Sequence, residues 1–182
     1  SPGAPTKPIV ASKAGRSPAG RRAASSHTAA LASSEVAVDT LFQQSGVIRA
    51  DTLDELFSLA RGLSDQPLPK GKRVGIITNA GGPAILCTDA CEAGGLFVPE
   101  LSNATTTALS AFLPPAASLK NPVDLIASAT PDHYTYAITT LLASQEIDAL
   151  IVLYISVTVG DAAGISNGIL RGISTARQAG GA

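Results

Sequence analysis

The chain has 182 residues, 45% of them hydrophobic, a formal net charge of −1 and two cysteines. That is apolar material enough for one ordinary domain or two small ones, and it excludes a chain disordered throughout, a disulfide scaffold and a four-cysteine zinc site. The near-neutral charge excludes a general nucleic-acid binder, and no apolar run reaches the roughly 18–20 residues of a membrane-spanning helix, so the expectation is a soluble, cytoplasmic protein with no nucleic-acid or membrane partner.

Residues 1–6 read as a loose end, and Pro8 to Ser12 as one short buried strand. Residues 13–34 (KAGRSPAGRRAASSHTAALASS) hold too few large apolar side chains to pack as a helix or a strand, which predicts a functional loop. Residues 34–45 read as a helix burying Val36, Val38, Leu41 and Phe42, ended by Gly46. Val47 to Arg49 follows as a strand. Asp51 or Thr52 can cap a helix carrying Leu53, Leu56, Phe57 and Leu59. The Pro- and Gly-rich stretch 62–72 marks a boundary. The expected division is a first domain over 1–66, a linker over 67–72 and a second domain over 73–182.

From Arg73 the pattern alternates strand and helix. Residues 74–78 (VGIIT) are apolar on both faces, as in a parallel strand covered by helices on each side. A helix over 83–93 has Pro83 in its first turn and Gly94–Gly95 beyond its end. Leu96 to Val98 reads as a strand, 103–113 as a helix stopped by Pro114–Pro115, and 122–127 as a third strand. Thr130 caps a helix with Pro131 first and an apolar face of Tyr134, Ala137, Ile138, Leu141 and Leu142. Residues 149–155 (ALIVLYI) read as the clearest buried strand, and 161–178 as a final helix. Such alternation predicts the α/β class, a doubly wound parallel sheet. Another strand is expected after the last helix. With that, and with no Met anywhere in the sequence, a piece of a longer protein is expected.

Charge is uneven. Residues 1–34 carry Lys7, Lys13, Arg16, Arg21 and Arg22 and no acid, for +5, whereas 35–182 carry −6. A basic stretch rich in Gly and Ser suits phosphate or another small anion, with a solvated basic tail as the competing reading from charge alone. His27 sits inside it between Ser26 and Thr28. Imidazole is a competent phosphoryl acceptor, because one ring nitrogen is nucleophilic at neutral pH while the other is held by a hydrogen bond. The turn TNAGGPA (78–84) lies between a buried strand and a helix start. There Asn79, Gly81 and Gly82 form a candidate anion site on unpaired backbone N–H groups, with a tight turn needed only for topology as the equal competing reading. Asn121-Pro122-Val123-Asp124 places Asn121 and Asp124 as possible linings of a crevice at the sheet's edge, with bracing of a loop as the competing reading.

Three features are set aside. Gly164-Ile165-Ser166-Asn167-Gly168 fits the serine-hydrolase pattern, but its Ser falls within a helix rather than on a tight turn directly after a strand. Cys87 and Cys91 share a helix face at i, i+4 and read as small packing residues, so no metal site is expected. His133 reads as a surface residue in a helix's first turn.

The segment KAGRSPAGRRAASSHTAALA (13–32) resembles the phosphohistidine loop of the NDP-forming acyl-CoA synthetases, the relatives of succinyl-CoA synthetase that include ADP-forming acetyl-CoA synthetase. GVIRADTLDELF (46–57), RVGIITNAGGPAILCTDACEAGGL (73–96) and FLPPAASLKNPVDLIASATPDHY (112–134) continue the resemblance in the family's order, from about residue 7 onward. The resemblance implies that His27 is transiently phosphorylated, with Gly15, Arg16, Gly20, Ser26 and Thr28 matching the positions around it. It implies that Asn79, Gly81 and Gly82 match the Gly-rich turn of the following flavodoxin-like domain. Ala29 and Ser33 depart from the family, which commonly has Gly at both places, and imply a stiffer loop.

The resemblance further implies the second half of a first flavodoxin-like domain and most of a second, with the CoA-binding and ATP-grasp domains outside this chain. The implied reaction of the intact, oligomeric enzyme converts acyl-CoA, ADP and phosphate reversibly to acid, ATP and CoA, using Mg. Phosphate attacks the thioester to give an acyl phosphate, and His27 takes the phosphoryl group and passes it to the nucleotide. This fragment alone is expected to be inactive. The alternative is a ligand-sensing, synthetase-like region of a protein lysine acetyltransferase, a reading that loss of the His would favour.

Overall fold

The computed structural model describes residues 7–27, 35–156 and 162–180. By contacts the chain divides into two compact units, Ser1–Leu68 and Pro69–Ala182.

In the first unit, β1 (Ile9–Ala11) and β2 (Val47–Arg49) pair in parallel, with Ile9 opposite Val47 and Ala11 opposite Arg49. Between them run α1 (Pro18–His27) and α2 (Glu35–Ser45), and α3 (Leu53–Asp65) follows β2. Gly46 ends α2 at φ 66°, a conformation glycine adopts without Cβ strain. Thr52 caps α3 by accepting from the Glu55 N–H, while the Glu55 carboxylate accepts from the Asp51 N–H. Those two bonds supply partners at the helix start, where no intrahelical acceptor exists.

Helix α1 corrects the reading of 13–34 as a loop over 18–27, whereas 13–17 are irregular as expected and 28–34 lie outside the described residues. Scarcity of large apolar residues limits packing, not helix formation: Pro18 opens the helix with its φ already set, and Ser17 Oγ accepts from the Gly20 N–H at 3.0 Å. Ala and Arg, both strong helix formers, carry it on. The expected buried face of α2 is corrected too. Val38 and Phe42 are half-buried, but Val36 and Leu41 are exposed. On α3, Leu56 and Leu59 are half-buried while Leu53 and Phe57 are exposed. Ile9 in the first strand is exposed as well.

The second unit is a three-stranded parallel sheet ordered β4–β3–β5, from β3 (Val74–Thr78), β4 (Val123–Asp124) and β5 (Ala149–Leu153). Its helices are α4 (Gly81–Ala93), α5 (Asn103–Ser110), α6 (Pro131–Ala143) and α7 (Ala162–Gln178). Every residue of β3 is buried. Side chains alternate across a strand, so β3 feeds two cores. Val74 and Ile76 pack with Cys91, Cys87, Ile151 and Leu153 on the α4 side. Ile77 packs with Val123, Leu125, Leu109, Tyr134, Ile138 and Leu141 on the α6 side. The doubly wound parallel architecture is therefore as the sequence predicts.

Several boundaries differ. β5 stops at Leu153 and is half-buried along its length, at one of the two ends of the β4–β3–β5 order. The expected strand at 96–98 is a single parallel bridge, Arg73 to Phe97, and that at 122–127 is two residues long. Helix α5 ends at Ser110, short of the two prolines. His133 is half-buried rather than a free surface residue. Its Nδ1 accepts from the Thr130 N–H while Thr130 Oγ1 accepts from the His133 N–H, a reciprocal cap on α6.

Candidate functional site

Two candidate places arise, one in each unit. In the first, the backbone of Ser26 and His27 forms the end of α1. Thr28, Ala29 and Ser33 lie outside the described residues. The residues leading into α1 are shaped by close approach: Gly15 has φ 82°, and a Cβ on Gly20 would lie 3.2 Å from both Gly15 Cα and Ser17 Oγ.

The basic character of this stretch is partly neutralised by acids from further along the chain. Lys13 Nζ donates to Glu35 Oε2 at 3.3 Å, a partner 22 positions away. Arg16 pairs with Asp51 at 2.7 Å and with Glu35 at 3.5 Å. Arg49, on β2, donates to Glu35 and Asp39 on α2 and, at 3.3 Å, to Asp51. The Arg49 guanidinium, ahead of the Lys13 ammonium, holds the Glu35 carboxyl below the usual range. Sequence reasoning read Arg49 only as the end of a strand and missed this cluster. The signal was present as Glu35 and Asp39 one turn apart on a single helix face.

In the second unit, β3 runs directly into α4 through the turn 78–82. Thr78 Oγ1 accepts from the Ala80 N–H at 3.0 Å. Ala80 occupies the cap position and offers no side-chain cap, and Pro83 has no N–H. The N–H groups of Gly81 and Gly82 have no acceptor among the described residues, and both glycines are exposed. Asp124 lies alongside: its Oδ1 accepts from the Ile126 N–H at 2.9 Å, and its Oδ2 is 3.3 Å from where a Gly81 Cβ would be. The helix start thus presents two open donors beside one carboxylate.

Two expected site residues do other work with their side chains. Asn79 is 4% exposed; its Nδ2 donates to the Ile155 carbonyl at 2.8 Å and its Oδ1 accepts from the Ile155 N–H at 2.9 Å. The Asn79 carboxamide is thereby held on the backbone of Ile155, and the N–H groups that lie open at the turn are those of Gly81 and Gly82. Asn121 accepts from the Ile76 N–H at 2.9 Å and donates to the Val74 and Pro99 carbonyls at 2.9 and 3.0 Å. It braces the middle of β3 instead of lining a crevice, because both faces of its amide meet backbone.

Ser166 lies in α7 and donates to the Ala162 carbonyl, so the serine-hydrolase pattern is helical here. Burial, ahead of the neighbouring Cys91, pushes the Cys87 thiol up. Among the described residues no three His, Cys, Asp or Glu side chains converge as a metal would require. No helix among them is long and apolar enough to cross a membrane.

Comparison with known proteins bears on both units. Residues 3–63 match the family described as succinyl-CoA ligase like flavodoxin domain, and residues 74–181 match the ligase-CoA domain. The chain is 48% identical over 147 residues to subunit alpha of ADP-forming acetate–CoA ligase II from Pyrococcus furiosus, covering 81% of this chain and 32% of that subunit. It is 43% identical over 166 residues to subunit alpha of ligase I from the same organism, covering 91% and 36%. Among solved structures, a dinucleotide-forming acetyl-coenzyme A synthetase 1 of Ca. Korarchaeum cryptofilum, in complex with phosphate and ADP, superposes with a TM-score of 0.86 at 34% identity, over 94% of this chain and 37% of that one. The chain spans about a third of the length of these relatives.

Proposed function

Since the chain belongs to the family of succinyl-CoA ligase-like flavodoxin and ligase-CoA domains, we propose that it is the part of an ADP-forming acyl-CoA synthetase that carries the phosphoryl relay. The observation that supports this reading is the Ser26-His27-Thr28 segment, on a chain whose two units match the two family domains in series.

In the proposed reaction an oxygen of inorganic phosphate attacks the thioester carbonyl and CoA leaves as the thiol, giving an acyl phosphate. A ring nitrogen of His27 then attacks phosphorus, and the carboxylate of the free acid leaves. Finally the terminal oxygen of ADP takes the phosphoryl group and neutral imidazole is regenerated. A histidine suits this relay because its phosphoramidate forms and breaks at neutral pH. The Gly81 and Gly82 N–H groups offer two fixed donors to a phosphate or phosphoryl anion. Asp124 beside them limits how much negative charge the site tolerates. CoA and the nucleotide are held by domains beyond these residues. Mg is implied for the whole enzyme, and among the described residues no three His, Cys, Asp or Glu side chains converge to hold it.

The test is phosphoryl labelling of the whole enzyme from ATP radiolabelled in its terminal phosphoryl group. His27→Ala should abolish a label that is acid-labile and alkali-stable, and His133→Ala should retain it. Equal labelling of wild type and His27→Ala would remove His27 from the reaction.

A further inference from the structure

The ionic cluster around Arg49 joins both flanks of the segment that carries His27. Lys13 and Arg16 precede α1; Glu35 is the first residue of α2 and follows the segment in sequence. Glu35 receives Lys13, Arg16 and Arg49, and Asp51 receives Arg16 and Arg49. Asp39, one turn along α2, pairs with Arg49. The three cations and three carboxylates balance.

Isolated exposed ion pairs contribute little, and Arg16, Asp39 and Asp51 are each about half exposed. Arg49 differs: its side chain is 16% exposed, and its planar fork meets carboxylates from two directions, those of α2 and that of Asp51. Lysine, a single point charge, cannot span them. Arg49 itself is fixed by β2, whose pairing with β1 sets its height along the sheet, since Ala11 lies opposite it. The chain leaves β1 at Ala11, reaches Lys13 two residues later and Arg16 just before the helix. The same short strand pair therefore sets where the His27 segment departs, and through Arg49 and Glu35 where it returns.

We propose that Arg49 is a positioning residue for phosphoryl transfer, the centre of a charge cluster that pins the two flanks of the His27 segment. The proposal rests on the reading of His27 as the phosphoryl carrier. Positioning matters here because an imidazole displaced by about 1 Å from its in-line approach loses on the order of a hundredfold in rate.

The test is single-turnover labelling of the whole enzyme from ATP radiolabelled in its terminal phosphoryl group, fitted for amplitude and rate constant separately. Amplitude counts folded sites; the rate constant reports the geometry of those sites. Arg49→Gln should lower the rate constant about tenfold or more at unchanged amplitude, and Arg49→Lys should recover part of it. Asp39→Asn, which loses only its pair with Arg49, should lower the rate constant a few-fold and serves if Arg49→Gln does not accumulate. An unchanged rate constant in Arg49→Gln, or in Asp39→Asn where it replaces it, overturns the proposal, as does a loss of amplitude alone. His27→Ala, run in parallel, separates the two ideas. A label surviving there removes the carrier reading, whereas a label lost there with normal kinetics in the Arg49 variants removes only the positioning role.

Discussion

The Asn79 carboxamide and the Ile155 backbone exchange two hydrogen bonds, Nδ2 to the carbonyl at 2.8 Å and N–H to Oδ1 at 2.9 Å. One side chain thereby prolongs the pairing of β3 with β5 beyond Thr78 and Leu153, where backbone register ends. It also fixes the point at which β3 gives way to the Gly81–Gly82 turn.

Asn79→Leu should therefore destabilise the chain by about 1–3 kcal/mol, the cost of stripping partners from buried polar groups. Asn79→Asp should cost more at neutral pH, because a buried carboxylate oxygen would face the Ile155 carbonyl. Urea denaturation of both variants checks the order, and a neutral Asn79→Asp would show the clamp to be idle.

Helix α7 lies against α6 through glycines. A Cβ on Gly168 would stand 2.3 Å from the Pro131 carbonyl oxygen, and one on Gly172 2.9 Å from Ile138 Cβ. Thr135 Oγ1 uses the approach to donate to the Gly168 carbonyl at 2.8 Å. Gly168→Ala should cost about 1–3 kcal/mol, since backbone cannot yield as a flexible side-chain tip does. Gly82→Ala, with nothing within 4 Å of the new Cβ, should be neutral or stabilise by up to about 1 kcal/mol. Thermal melts of the pair give the contrast directly.

Acid should weaken the second unit in a defined window. The Arg73 guanidinium, and after it the Arg73 N–H, hold the Asp148 carboxyl at about 2, below its unfolded value. Between those two values the unfolded chain binds more protons than the folded one. The resulting stability is complete above about pH 4 and is lost as pH falls toward 2. Asp148→Asn should flatten that part of a urea-midpoint profile, whereas an unchanged acid slope would place the titration elsewhere.

Thr130→Ala should remove one half of the α6 cap and cost about 1 kcal/mol. His133→Ala should remove the other half and also an edge-on ring contact with Phe112 at 6.0 Å. If the double variant costs less than the sum, the two halves act as one unit; chemical denaturation of the three variants measures the coupling.

The strand–helix alternation after Arg73 was legible because buried parallel strands must be apolar on both faces, and VGIIT is. Helix starts were legible where a cap is chemical, as at Thr52 and Thr130. Helix α1 was not, since it carries no large apolar side chain to give a periodic pattern and its start, Ser17-Pro18, is a local signal that needs no burial. At the candidate sites, Gly81 and Gly82 were readable from their place between strand and helix. The employment of Asn79 and Asn121 was not, because a carboxamide that meets backbone and one that meets a ligand look alike in sequence. The Arg49 cluster joins residues distant along the chain, and only the β1–β2 register brings its members together.

The β4 side of β3 is a ladder assembled from unlike rungs. Phe97 bridges at Arg73, the Asn121 carboxamide takes the Val74 carbonyl and the Ile76 N–H, and Val123 pairs opposite Ile77. One amide side chain fills the gap between the two backbone rungs, so the Val74 carbonyl and the Ile76 N–H of a buried strand keep partners where no neighbouring strand reaches them. Truncating that side chain would therefore strip two backbone groups at once, in the strand on which both apolar cores of the second unit depend.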